Sequence, residues 1–255
     1  MSTLTDLTDE QLLRYSRQIM LPQLDIEGQQ RILGASVLII GAGGLGNPAA
    51  MYLAAAGVGR IVLVDDDQVD QTNLQRQVAF TESSINTAKV EALAAQLMAN
   101  NSDIKVDTVA QRLDETELLD YISQVDVVLD CTDNFDSRFM INRISWQVGK
   151  PLVSAAAIGF EGQLSVYHPG VEASPCYQCL YGEVDAQELT CSESGVLGPV
   201  VGSQGVLQAL ETLKLIAGVG ESLVGRLQVF DALNHEWRTI KLRKDPECPV
   251  CGTCS

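Results

Sequence analysis

Residues 36–46 read SVLIIGAGGLG: a short β-branched run, Ser36–Ile40, that ends in a glycine cluster, followed by NPAAMYLAAA over residues 47–56. A strand that breaks into glycines and then into an alanine-rich helix is the opening of a nucleotide-binding βαβ unit. Gly41, Gly43 and Gly46 fit G-x-G-x-x-G, with Gly44 in the same loop. Glycine there lets the backbone approach a phosphate lying over the helix N-terminus. A second run, Arg60–Val64 (RIVLV), closes in Asp65, Asp66 and Asp67. Asp65 stands where a carboxylate would hold a ribose hydroxyl. A merely tight turn is the alternative for the glycines alone; the flanking strand, helix and acidic residue favour nucleotide binding.

Outward from this unit the chain alternates. Helical stretches are predicted at residues 87–99, 115–123 and 135–148, and strands at 104–109, 125–130 and 151–157. This pattern implies a mostly parallel sheet with right-handed crossovers and helices on both faces. Upstream, residues 8–19 predict one amphipathic helix capped by Thr8 and carrying Arg14 and Arg17. Downstream, residues 163–167 read as a strand, 200–217 as a helix, and 227–231 and 236–242 as two more strands, with His235 beside or within the last of them. The fold class is therefore α/β: a Rossmann-like, mostly parallel sheet extended by C-terminal mixed or antiparallel strands. No repeat, low-complexity tract or linker interrupts the chain, so a single domain is preferred to two.

Composition narrows the partners. The 255 residues include 33 Asp and Glu against 17 Lys and Arg, a net charge of −16. A polyanionic surface repels phosphate backbones and anionic lipid, so no nucleic-acid or membrane partner is expected from bulk electrostatics. Any phosphate must be held locally. The start of the chain shows no basic, apolar leader and no stretch reaches a membrane span, so a cytoplasmic, reducing setting is expected.

The residues after Asp67 argue against simple hydride transfer. Thr72, Asn73, Leu74, Gln75 and Arg76, followed by Lys89, place polar and cationic groups just past the acidic strand end. Phosphoryl or nucleotidyl transfer needs such groups, because charge on the non-bridging oxygens must be stabilised. Asp133, in the run Asp130–Asn134 (DCTDN), follows the fourth strand at the edge where such sheets bind ligands. It reads either as a Mg²⁺ ligand or as the N-cap of the next helix.

Of seven cysteines, Cys176 and Cys179 form one C-x-x-C pair, and Cys248 and Cys251 a second. Four thiolates can hold a tetrahedral Zn²⁺. At this long spacing the metal would be a structural staple, with a redox disulfide or unlinked thiols as the alternatives. Cys131 reads as a small core residue, and Cys254 could compete as a ligand. Cys191 lies in an irregular acidic stretch where a reactive thiol would be accessible. His168 and His235 read as structural.

RYSRQI (residues 14–19), GAGGLG (41–46), TNLQRQ (72–77), Lys89, DCTDN (130–134) and the two C-x-x-C pairs together resemble the bacterial E1-like adenylyltransferases, the MoeB/ThiF family, over residues 8–252. The stretch SPCYQCLYGEVDAQELTCSESGV (174–196) looks more like the molybdopterin branch. DDDQVDQTNLQRQ (65–77) and GFEGQL (159–164) are about equally close to the thiamine branch.

The resemblance implies ATP-dependent adenylation of the C-terminal glycine carboxylate of a small ubiquitin-like sulfur carrier ending in Gly-Gly, with pyrophosphate released. By that analogy Gly41, Gly43 and Gly44 line the nucleotide pocket and Asp65 takes the ribose. Asp67, Thr72, Leu74, Gln75 and Asn134 join the binding set; Asn73, Arg76 and Lys89 contact the triphosphate, and Asp133 binds Mg²⁺. Arg14 matches an arginine delivered across a homodimer interface to the partner's ATP. Cys191 matches a cysteine that some relatives use in covalent sulfur or acyl chemistry. No rhodanese-like extension is seen, so a separate sulfur-donor protein is expected. Residues 1–34 would be an N-terminal arm, 35–158 the nucleotide core and 159–255 the carrier-binding, zinc-stapled part. A nicotinamide-dependent oxidoreductase and a non-catalytic nucleotide-binding scaffold are the readings kept beside this one.

Overall fold

A computed structural model describes residues 6–182 and 195–252. Its centre is an eight-stranded sheet in the order β3-β2-β1-β4-β5-β6-β7-β8. The strands are β1 (Ser36–Ile40), β2 (Arg60–Val64), β3 (Lys105–Val109), β4 (Val127–Asp130), β5 (Leu152–Ile158), β6 (Glu161–Tyr167), β7 (Arg226–Asp231) and β8 (Glu236–Lys241). The first five pair in parallel. β5 to β8 pair antiparallel, and each junction between them joins strands consecutive in the chain.

Among the described residues there are nine α-helices, α1 (Asp9–Arg14), α2 (Ser16–Ile19), α3 (Asp25–Gly34), α4 (Gly46–Ala56), α5 (Lys89–Asn100), α6 (Glu115–Ser123), α7 (Phe135–Gln147), α8 (Tyr177–Tyr181) and α9 (Gly198–Ala217), and two short 3-10 helices, Gln71–Asn73 and Glu82–Ser84. Two apolar clusters lie on the two faces of the sheet. Side chains of Val37, Ile39, Ile61 and Leu63 meet α4, α5 and α9 on one face. Those of Leu38, Val62 and Val128 meet α6 and α7 on the other. Alternate residues of the central strands thus serve opposite cores, which is why β1 and β2 are nearly continuous apolar runs in the sequence, whereas the edge strand β3 (KVDTV) is not.

The single helix expected over residues 8–19 is instead two. Thr8 does cap the first, accepting from the Gln11 N–H in a capping box. The chain then breaks at Tyr15 (φ −97°, ψ 10°). This ring is 2% exposed and packs against Gly57, where φ is +90° and a Cβ would come within 2.6 Å of the ring. Its hydroxyl accepts from Asn101 Nδ2 at 2.9 Å. One buried tyrosine therefore overrides the continuous helical pattern. His235 also moves relative to expectation: it sits at φ +56° in the β7–β8 turn, its ring edge-on to Phe230.

Candidate functional site

The sheet order reverses beside β1, since chain continuations leave it in opposite directions through β2 and β4. Such a reversal opens a crevice at the carboxyl ends of the strands. Here it is a cleft of about 590 Å³. Gly41 follows β1 at φ +96°, and a Cβ there would lie 2.6 Å from the Cys131 carbonyl oxygen. At Gly46, the first residue of α4, a Cβ would come 1.9 Å from the Gly41 carbonyl oxygen. The two positions therefore admit glycine alone, and the loop between them lies flat on the sheet edge with Gly43 and Gly44 facing the cleft.

Asp65 fastens this loop to β2. Its Oδ2 accepts from the Ala42 N–H at 2.7 Å and its Oδ1 from the Asp67 N–H at 2.9 Å. Burial pushes its pKa above the ordinary value, with Lys89 and the two backbone N–H groups pulling the other way. Lys89, the first residue of α5 and 6% exposed, donates to Asp67 Oδ2 at 2.6 Å. Asp66, Asp67, Asn73, Gln75, Arg76 and Lys89 line one wall; Asp133 and Asn134 line another. Arg76 donates to the Thr72 carbonyl at 2.9 Å. The N-cap of α7 is Asn134, whose Oδ1 accepts from the Ser137 N–H at 2.9 Å, so Asp133 is exposed and carries no capping duty.

Three expected residues lie elsewhere. Thr72 turns its hydroxyl onto Asp70 at 2.6 Å, and Leu74 packs against the apolar core. Arg14 is exposed on α1, 3.3 Å from the Asn100 carbonyl and 3.8 Å from Asp103, outside the cleft of its own chain. Cys191 and Cys254 fall outside the described residues.

The cleft also holds residues that the sequence reading passed over. Gln111 and Arg112 arrive on the loop after β3, and Arg138 on α7. Arg138 is 6% exposed. The first two were open to inference, because a loop leaving the carboxyl end of a parallel strand must face the same edge. For Arg138 the sequence held no such signal, since its burial shows only in the fold.

The four paired cysteines converge although residues 180–247 separate the pairs. Their sulfurs lie within 4.8 Å of one another, with Cys176 and Cys248 at 3.6 Å and Cys179 and Cys251 at 3.2 Å. All four are free thiols. Tetrahedral zinc with sulfurs at about 2.3 Å needs S···S separations of about 3.8 Å, so the set is compatible with a closed structural zinc. Burial pushes the Cys176 thiol up to about 12. Burial also raises Cys248, yet backbone N–H groups of Cys251 and Val250 outweigh it and leave that thiol below its ordinary value. Trp146 of α7 and Val250 pack around the cluster, and the Asp245 N–H points at Cys179 Sγ, 3.4 Å away.

The ThiF family profile matches residues 15–250. The chain belongs to the ThiF family. A relative from Escherichia coli, the sulfur carrier protein ThiS adenylyltransferase, is 47% identical over 246 residues, covering 96% of this chain and 97% of that protein. The adenylyltransferase and sulfurtransferase MOCS3 of Sus scrofa is 48% identical over 96% of this chain, which spans only 54% of its length. Among solved structures, E. coli MccB superimposes with a TM-score of 0.84 at 26% identity, over 94% of this chain and 75% of that one. This ThiF-family chain is an E1-like nucleotidyltransferase, and the oxidoreductase reading left open by the glycines and Asp65 is set aside. No helix among the described residues is long and apolar enough to cross a membrane.

Proposed function

We propose that the chain uses ATP to adenylate the C-terminal glycine carboxylate of a small ubiquitin-like sulfur carrier, in molybdenum cofactor biosynthesis. The observation that supports this most directly is one cleft that gathers a ribose-type carboxylate after β2, two cations from the connection between β2 and α5 and from the start of α5, and a solvent-facing aspartate after β4. The glycine loop and the α4 N-terminus take the phosphates by backbone N–H groups. Asp65 orients the ribose, while Asn73, Arg76 and Lys89 neutralise the triphosphate.

Mg²⁺ retains several waters and takes one or two carboxylates together with substrate phosphates, a demand that a single exposed Asp133 meets. Bound there, it would supply charge stabilisation to the phosphates. A carrier carboxylate oxygen attacks the α-phosphorus in line; the new P–O bond forms as the bond to the bridging oxygen breaks, and pyrophosphate leaves with the electron pair. The carboxylate is ionised at neutral pH, so no general base is needed. The residues position and stabilise charge.

Arg14, exposed and remote from its own cleft, fits delivery to the partner's ATP in a homodimer. The four cysteines fit a structural Zn²⁺ without an open coordination position. Sulfur would come from a separate donor protein. Similarity along nearly the whole of the ThiS adenylyltransferase favours a second reading, the same chemistry on the thiamine-pathway carrier.

Exchange of labelled pyrophosphate into ATP tests the proposal. Exchange is expected only in the presence of a carrier ending in Gly-Gly, and parallel assays with molybdopterin-type and thiamine-type carriers separate the pathways. Absence of exchange with every such carrier overturns it.

A further inference from the structure

At the β4 side of the cleft, two buried groups, Asp130 and Arg138, act on one peptide. Thr132 lies two residues past the end of β4, immediately before Asp133. Its N–H and its hydroxyl both donate to Asp130 Oδ1, at 3.0 and 2.7 Å. Its carbonyl accepts from Arg138 Nη2 at 2.5 Å. Asp130 is 0% exposed, and its other oxygen accepts from Ser154 Oγ at 2.8 Å. Arg138 also reaches the Tyr177 hydroxyl at 3.5 Å. On the far side of Asp133, Asn134 is fixed as the cap of α7.

Taking a carboxylate and a guanidinium out of water is costly, and such groups persist in cores only where their hydrogen bonds are made. Here each makes hydrogen bonds with Thr132 besides those it makes with Ser154 or Tyr177. The helix is capped without them, and the sheet register at β4 extends through Asp130 without them. What they fix is the path of the chain into Asp133.

We infer that Asp130 and Arg138 are positioning residues, which clamp the Thr132 peptide at both ends so that Asp133 offers its carboxylate to magnesium–triphosphate at a set place. The inference rests on the adenylation reading above. Tyr177 braces the guanidinium, and its neighbour in the chain, Cys176, belongs to the four-sulfur cluster, so the clamp also links that cluster to the nucleotide edge.

A double-mutant cycle with two readouts tests it: equilibrium binding of ATP across a Mg²⁺ titration, and carrier-dependent pyrophosphate exchange. Arg138→Lys keeps the charge and loses the planar fork. It is expected to raise the Mg²⁺ concentration for half-maximal ATP binding about tenfold, as loss of a ligand-orienting partner does, and to lower exchange most at subsaturating Mg²⁺. Asp130→Asn should move the Mg²⁺ requirement in the same direction. In an Asp133→Ala background Arg138→Lys should leave the Mg²⁺ dependence unchanged, because the residue it acts through is gone.

Should Arg138→Lys fail to fold, Tyr177→Phe and Ser154→Ala each remove one supporting hydrogen bond and should shift the Mg²⁺ requirement about two- to threefold. A further loss of ATP binding in the Asp133→Ala background would make Arg138 a direct nucleotide contact and overturn the clamp. So would a normal Mg²⁺ dependence in a variant with a lowered melting temperature. If the Mg²⁺ shifts occur but the wild-type chain exchanges pyrophosphate with no carrier, the clamp stands and the adenylation reading falls.

Discussion

The parallel and antiparallel halves of the sheet are built on different terms. β1, β2 and β4 are buried almost end to end, sandwiched between helices on both faces. Burial then fades across the extension, from a largely buried β6 through a half-buried β7 to a β8 exposed at all six positions. Hydrophobic burial from both sides therefore holds the first half rigid, and the groups proposed for chemistry hang from its strand ends. The outer half has little core of its own. It is braced instead by a stacked Phe230–Trp237 pair and ends in a tail whose cysteines meet Cys176 and Cys179 beside α7.

The largest expected effects lie in the first half. Arg76→Ala and Asp133→Ala should each lower carrier-dependent pyrophosphate exchange by about 10²–10³ or more, the cost of losing preorganised charge stabilisation. Exchange rates near wild type would break the contrast between a chemical half and a braced half. Gly46→Ala should destabilise the fold by about 3 kcal/mol or more in denaturant unfolding, since the new methyl meets backbone rather than a movable side chain. A tolerant Gly46 would mean that the loop is less constrained than its 1.9 Å approach to the Gly41 carbonyl oxygen implies.

In the outer half, Cys248→Ser, or chelation of metal from the purified protein, should lower the melting temperature by about 5 °C or more while the exchange reaction survives in part. Metal analysis giving well under one zinc per chain would replace the staple with plain thiol packing.

Asp65 sharpens the comparison through pH. Its folded pKa lies above the unfolded value, chiefly because of burial, so folding disfavours its charge. The carboxylate costs stability at neutral pH, and the cost is relieved as pH falls through the raised value toward the ordinary 3.8. Adenosine binding, which uses the ribose contact without phosphates, should correspondingly weaken in acid at a pH above 3.8. Loss of binding only below that value would remove Asp65 from the ribose.

The smallest effect is expected at Trp237, 45% exposed and stacked on Phe230 at a centroid distance of 4.1 Å. Trp237→Ala should cost about 1 kcal/mol of stability, measured by denaturant unfolding, with pyrophosphate–ATP exchange chemistry unchanged.

The two halves also differed in how much the sequence disclosed. SVLII and RIVLV could be read to the residue because strands buried on both faces must be apolar throughout and must stop at their glycines or aspartates. The same logic placed Asp65 and Asp133 at one edge. The break at Tyr15 was hidden, because it depends on a hydroxyl partner, Asn101, that is 86 positions away. The inward turn of Leu74 was equally hidden, since a motif names residues without saying which way each one faces. Arg138 was invisible for a related reason: nothing in helical spacing distinguishes a solvated arginine from one buried against a carbonyl. The convergence of the cysteines was suggested by their chemistry, while their common seat against Trp146 was not.

The ion pair between Lys89 and Asp67 bears on selectivity. A phosphate arriving at Lys89 does not find a bare cation there. It must compete with a carboxylate already in place, so the affinity it gains from Lys89 is the difference between two pairings rather than the whole of one. A lone anion entering the cleft gains little from such an exchange, whereas a nucleotide that also engages the glycine loop and Asp65 can sustain it. On the proposed reading, in which Lys89 meets the triphosphate, the pair would act as a threshold that favours ligands bringing several contacts at once over simple anions.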